Sequence, residues 1–338
     1  MVIKMRPEAS EDEKLEIIAF LKGEGLNIHR SESEGITLIG VGGPLENIDI
    51  SDLKVLIGVE EVIRITAPYK LVSRHFRNDN TVIVFENGVS IGGNEITVIA
   101  GPSAVESEEQ IETAAMICKS MGAKVLRGDA FISRSSPYKF QGLELEGLKL
   151  LHQAAENNDL LALSEVQDRY QIDQFIQYVD ILQVGPRNMQ NFRLLKELGK
   201  IDKPVMLKRG LSATIDEWLM AAEYIVSGGN NQVILCERGI RTFEPKTRST
   251  LDISAIPVLK SLSHLPIIAD PSHTVGDRGR VIPLVRAAAA AGADGIMVEV
   301  HPFPEKALNN RALQLYPDQF NQLMKETGAI ARAIGRKL

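Results

Sequence analysis

From residue 96 onward, short runs of Val, Ile and Leu alternate with longer stretches whose apolar residues recur at helical spacing. Each short run is followed at once by glycine or polar residues. The runs read Thr97-Val-Ile-Ala-Gly-Pro-Ser, Lys124-Val-Leu-Arg-Gly-Asp, Leu161-Ala-Leu-Ser-Glu, Ile181-Leu-Gln-Val-Gly-Pro-Arg, Val205-Met-Leu-Lys-Arg-Gly, Val233-Ile-Leu-Cys-Glu-Arg-Gly, Ile267-Ile-Ala-Asp-Pro-Ser-His and Ile296-Met-Val-Glu-Val-His. Eight strand–helix units in about 240 residues predict an α/β chain folded as a (β/α)8 TIM barrel. The competing doubly wound sheet normally opens on a Gly-rich turn, and Gly101-Pro-Ser is not one.

The first 67 residues follow another pattern. Strands at 2–6, 26–30, 36–41 and 62–66, a helix opened by Ser10-Glu-Asp-Glu and closed by Gly23 and Gly25, and a second helix near 50–57 give the order βαββαβ. That order is a small ferredoxin-like α+β domain. It brings no polar cluster to its strand ends, so it reads as a regulatory or interaction module or a packing cap. Residues 68–95 form a linker and a β-hairpin turning at Asn87-Gly88. The expected domains are therefore 1–67, the connecting 68–95, and the barrel 96–338.

Composition narrows the function class. The 338 residues carry a net charge of −6 and are 44% hydrophobic, so no global positive field draws nucleic acid. No apolar run approaches the length of a membrane span, and the N-terminus carries no signal-peptide pattern, so a cytoplasmic protein with neither membrane nor nucleic-acid partners is expected. The two cysteines are too few for a disulfide framework. Cys118 reads as a buried small hydrophobe, as does Cys236, although its neighbours Glu237 and Arg238 leave a catalytic thiol open there.

In such a barrel the C-terminal strand ends converge on one mouth. There the sequence places Arg127, Arg187, Lys208, Arg209 and Arg238 beside Glu165, Asp270, His273, Glu299 and His301. Converging cations repel one another unless an anion neutralises them, and the guanidinium fork suits carboxylate and phosphate oxygens. A small polyanionic metabolite is the expected ligand. For Arg209 taken alone, pairing with a neighbouring acid is an equal reading. Glu299, His301 and His273 could ligate a divalent metal, but for His301, followed by Pro302, a structural hydrogen bond is favoured.

These motifs, with Arg134-Ser-Ser-Pro-Tyr-Lys-Phe-Gln-Gly, Arg187-Asn-Met-Gln-Asn-Phe and Glu299-Val-His-Pro, resemble the 3-deoxy-D-arabino-heptulosonate 7-phosphate (DAHP) synthase family. The resemblance is to the short type with an N-terminal ferredoxin-like domain, and it covers essentially the whole chain. It implies a transferase or lyase of the shikimate pathway and aromatic amino-acid biosynthesis, condensing phosphoenolpyruvate with erythrose 4-phosphate, assisted by a divalent metal. It implies that Arg127 and Lys208 hold the phosphoenolpyruvate carboxylate and Arg187 and Arg238 its phosphate. Glu165 would lie at the reacting centre, and Arg134 and Ser135 would hold the aldehyde's phosphate. It also implies a homo-oligomer, a tetramer, and feedback by aromatic amino acids through the small domain.

Three positions depart from the family pattern. Ser103 and Asn310 stand where the family has metal-ligating Cys and Asp, leaving His273 and Glu299 as ligands and predicting metal dependence weakened or lost. Ile132 replaces a lysine that contacts both substrates; Lys139, seven residues on, would reach in only if its loop folds differently, and a surface lysine is the favoured reading. At the mouth, Asp129 replaces a glycine and Pro186 an alanine. The leading expectation is a DAHP-synthase-like enzyme. Its rivals are a repurposed member doing other lyase, isomerase or elimination chemistry, with Glu165, His273, Glu299 or Asp129 as acid or base, and a catalytically silent ligand-binding or regulatory subunit.

Overall fold

A computed structural model describes residues 1–338 apart from 34, 44–47, 64–67 and 134–135. The chain divides into two compact units, Met1–Asn80 with Ser261–His264, and Thr81–Lys260 with Leu265–Leu338.

In the first unit, β1 (Val2–Met5), α1 (Glu11–Gly23), β2 (Asn27–Ser33), β3 (Ile36–Gly42), α2 (Ile50–Lys54) and β4 (Val59–Ile63) follow in the expected βαββαβ order. The antiparallel sheet runs β2-β3-β1-β4. Helix α1 starts where a capping box between Ser10 and Glu13 satisfies its first amides. Its apolar stripe, Ile17 and Leu21, buries against Met1, Ile3, Met5 and Ile39. Helix α2 is shorter than expected and β4 begins earlier, at Val59; the end of the expected 62–66 strand lies outside the described residues. The other sheet face is covered too: a Cβ on Gly40 would sit 2.5 Å from the Phe76 ring, with Leu71 beside it. Residues that read as a plain connection thus supply a second packing layer.

His264, 6% exposed, meets the Leu71 carbonyl at 2.7 Å. Burial pushes its imidazole down from 6.5 to about 4. An unfolded chain takes up that proton near pH 6.5 and the folded chain resists until about 4, so stability is full above 6.5 and falls as pH drops towards 4. The loss is about 3 kcal/mol at ~1.4 kcal/mol per pKa unit. Urea midpoints of wild type and His264→Gln across pH 7 to 4 check this: the wild-type slope should flatten in the variant, and parallel curves would refute it.

The second unit opens with the hairpin β5 (Ile83–Val84) and β6 (Ser90–Ile91), whose turn carries Gly88 at φ +83°. Eight parallel strands follow: β7 (Thr97–Gly101), β8 (Val125–Arg127), β9 (Leu161–Val166), β10 (Ile181–Val184), β11 (Val205–Lys208), β12 (Val233–Glu237), β13 (Ile267–Ala269) and β14 (Gly295–Glu299). They close into a barrel, β14 pairing β7. Between them and after the last run α3 (Glu108–Ser120), α4 (Glu144–Asn157), α5 (Ile172–Tyr178), α6 (Phe192–Leu198), α7 (Ile215–Ser227), α8 (Ala255–Leu262), α9 (Ser272–Val275), α10 (Val281–Ala290) and α11 (Pro317–Ala333).

Ile99, Val125, Leu163, Met206, Ile234, Cys236 and Met297 fill the barrel interior in one cluster with Ile83 and Ile91 of the hairpin. Thr97 Oγ1 donates to the Ser90 carbonyl at 2.8 Å, which places the hairpin at the N-terminal strand ends. That end is closed by apolar packing, so the C-terminal ends are left for chemistry. Cys236 is fully buried in this core, and desolvation pushes its thiol up; it is a packing residue and does not line the cavity described below. No helix among the described residues is long and apolar enough to cross a membrane.

Candidate functional site

The C-terminal strand ends surround a cavity of about 660 Å³. Its wall includes Ser103, Asp129, Ile132, Glu165, Arg187, Lys208, Arg238, Arg241, Arg248, His273 and Asn310. Arg127 and Glu299 lie behind this surface, 0% and 1% exposed. Strand alternation explains the selection at β11: Lys208 faces the cavity, while the next residue, Arg209, turns outward to Glu237 and Asp252, both at 2.9 Å. Arg209 is therefore a structural cation. His301 is structural as well, its Nδ1 accepting from the Phe303 amide at 2.9 Å.

A continuous chain of charges runs across the floor. Lys208 Nζ donates to Asp270 Oδ2 at 2.8 Å, the same oxygen meets His273 Nδ1 at 2.7 Å, and His273 Nε2 meets Glu299 Oε1 at 3.1 Å. Glu299 Oε1 also accepts from Arg127 Nη1 at 2.9 Å, and Arg127 Nη2 donates to Asp129 Oδ2 at 2.6 Å. Burial opposes the charge on Asp270 and Glu299 more than any one neighbour favours it, but His273 and Lys208 together at Asp270, and His273 and Arg127 together at Glu299, outweigh it. Asp270 is held well below the usual carboxylate range and Glu299 falls to about 2. Burial likewise lowers His273, and the two flanking carboxylates reverse this and raise it. The imidazole sits between two carboxylates, which favour its protonated form.

Glu165 has the opposite environment. Burial raises its carboxyl, Asp129 raises it further, and Lys208 and the Gln183 amide at 3.1 Å only partly offset this. A carboxyl shifted towards its protonated form on the wall of a cavity is chemically suited to giving up a proton there. Glu165 packs over Gly185, where a Cβ would come within 2.3 Å of its Oε1. Nothing in the sequence singled out that glycine.

Ser103, His273, Glu299 and Asn310, where the resemblance implies metal ligands, do come together. Asn310 Nδ2 donates to Ser103 Oγ at 3.0 Å and to Glu299 Oε1 at 3.1 Å, and Asn309 Nδ2 donates to Ser103 Oγ at 2.9 Å. The set does not fit a divalent cation. Both His273 nitrogens are engaged by carboxylates, Asn310 presents its NH2, and Ser103 supplies a neutral hydroxyl. Of these four residues, only Glu299 keeps a buried side-chain oxygen without a hydrogen-bond partner, Oε2. Among the described residues no cluster of His, Cys, Asp and Glu is built to hold a metal.

Ile132 stands on the cavity wall with an apolar side chain, and Lys139 is exposed and does not line it. Arg134 and Ser135 lie outside the described residues. Two wall arginines, Arg241 and Arg248, were not assigned from sequence; Arg241 belongs to the run Cys236-Glu-Arg-Gly-Ile-Arg, whose second arginine was the available signal.

Residues 79–333 match the DAHP synthetase I family and residues 1–67 the DAHP synthase ferredoxin-like domain. A phospho-2-dehydro-3-deoxyheptonate aldolase of Thermotoga maritima is 45% identical over 338 residues, all of both chains. A 2-dehydro-3-deoxyphosphooctonate aldolase of Syntrophotalea carbinolica is 30% identical over 261 residues, 72% of this chain and 93% of its own. The crystal structure of the Thermotoga maritima DAHP synthase superposes with a TM-score of 0.80 at 44% identity, covering 99% of this chain and 98% of that one.

Proposed function

Since the chain belongs to the DAHP synthetase I family and carries that family's ferredoxin-like domain, we propose that it condenses phosphoenolpyruvate with erythrose 4-phosphate without requiring a metal. The observation that carries this reading is the distribution of charge around the cavity. The floor cations Lys208, His273 and Arg127 are matched by Asp270, Glu299 and Asp129. The wall adds Arg187, Arg238, Arg241 and Arg248, whose side chains have no hydrogen-bonded or ion-paired partner among the described residues. Surplus positive charge in a concave site calls for an anion.

Lys208 and Arg127 would take the carboxylate, Arg187 and Arg238 the phosphate, and Arg134 and Ser135 the aldehyde's phosphate. Carbon–carbon bond formation turns the aldehyde oxygen into an alkoxide that needs a proton. Glu165, whose carboxyl is raised and which lines the cavity, is the donor at hand. Water then adds to C2 of the former enol, returning a proton to the donor, and phosphate leaves with the other proton as the C2 ketone forms. The hydrogen-bonded Ser103–Asn310–Glu299 cluster stands in the metal's place, so orientation falls to the protein's own donors. Assembly as a tetramer and control of the aromatic pathway by aromatic amino acids through the small domain belong to the same reading.

One observation favours the repurposed alternative: Ile132 presents no charge where both substrates would need one. Calorimetry of the chelator-treated protein separates the cases. Phosphoenolpyruvate should bind with the same affinity with and without Mn²⁺. Binding only with Mn²⁺ would overturn metal independence, and none in either condition would overturn the phosphoenolpyruvate assignment.

A further inference from the structure

Arg127 does not reach the cavity surface, and the group on its cavity side is the Asp129 carboxylate. Both of its neighbouring acids bind it, but only Asp129 lines the cavity; Glu299 lies behind. Residues 127 and 129 are two apart leaving β8, so their side chains turn the same way. One Asp129 oxygen takes Arg127 Nη2 at 2.6 Å while the other accepts the Glu165 amide at 3.2 Å, which tethers the carboxylate in place. A ligand carboxylate approaching from the cavity meets an anion of its own shape already seated on the guanidinium.

We propose that Asp129 is a built-in carboxylate that occupies Arg127, and that residue 129 thereby decides how well the cavity admits a carboxylate-bearing ligand. A third carboxylate cannot join Asp129 and Glu299 on one buried guanidinium without strong repulsion, so Asp129 must swing away for the ligand to enter. A phosphate held at the outer arginines, such as Arg187 and Arg248, does not face this competition. Asp129 is thus a selectivity residue that weakens carboxylate binding and leaves phosphate binding alone. The inference rests on the reading of the cavity as an anion site.

Calorimetric titration of the full chain tests it, with phosphoenolpyruvate and inorganic phosphate as probes, on wild type, Asp129→Asn and Asp129→Gly. The Asn change removes the charge and keeps an acceptor for the Glu165 amide; the Gly change removes the group. Thermal unfolding verifies folding, and either folded variant suffices. Phosphoenolpyruvate affinity should rise about tenfold or more, the scale of one charge-assisted hydrogen bond freed for the ligand, with phosphate affinity unchanged. Unchanged or weaker phosphoenolpyruvate binding with phosphate still bound would overturn the role of Asp129 and leave the anion site standing. Failure of every form to bind either probe would overturn both.

Discussion

Changing Asp270 to Asn is expected to destabilise the barrel unit by about 3–5 kcal/mol, the scale for removing one partner of a buried ion pair. Asp270 is 0% exposed, and one of its oxygens holds both Lys208 and His273. Without that charge the buried Lys208 loses its anion, and Glu299 is the nearest remaining carboxylate for His273. Lys208 should lose its fixed position, so phosphoenolpyruvate binding should fall together with the urea midpoint. Asp252→Asn is the control: it removes a partly exposed partner of Arg209 while Glu237 remains, and should cost about 1 kcal/mol or less. Equal effects of the two changes would show that the floor charges are not held as described.

The double change Ser103→Cys with Asn310→Asp should create a metal site where the wild type has a hydrogen-bonded cluster. Cys supplies a thiolate, Asp a carboxylate, and the amide hydrogens that bridge Ser103 and Glu299 are gone. Position 310 sits at φ +47°, a region in which Asn and Asp are the side chains most readily tolerated, so the backbone accepts the change. Without metal, the carboxylate introduced at position 310 would lie against Glu299 and destabilise the unit. Zn²⁺ affinity should rise at least about a hundredfold over wild type, the upper end of what even outer partners of metal ligands contribute. Thermal unfolding with and without Zn²⁺ reads the same effect, with a rise in Tm confined to the variant. Equal Zn²⁺ binding by wild type would overturn the conclusion that the present residues do not fit a metal.

The barrel and its strand ends were legible in the sequence because strands in a closed parallel sheet are buried on both faces. Such strands are near-continuous apolar runs that stop abruptly where the chain meets the mouth. Thr97-Val-Ile-Ala-Gly and Val205-Met-Leu-Lys-Arg announce both the strand and the residue that follows it. The same periodicity gave the βαββαβ order of the small domain, with Ser10 fixing a helix start through a local cap. What depends on residues adjacent in the chain could be read there.

Partnership between distant residues could not. Lys208 and Arg209 are neighbours in sequence, and only the turn of β11 sends one to Asp270 and the other to Glu237. Charge pattern alone counted Arg127 among the mouth cations, whereas the fold sets it behind Asp129, out of the cavity surface. The role of Gly185 depends on Glu165, a residue on the adjacent strand, and the second packing layer formed by Leu71 and Phe76 depends on the absence of a side chain at Gly40. Sequence determined which groups were present at the strand ends. Tertiary structure decided which of them neutralise one another, because electrostatic partnership is set by separations of about 3 Å in space and carries no local periodicity.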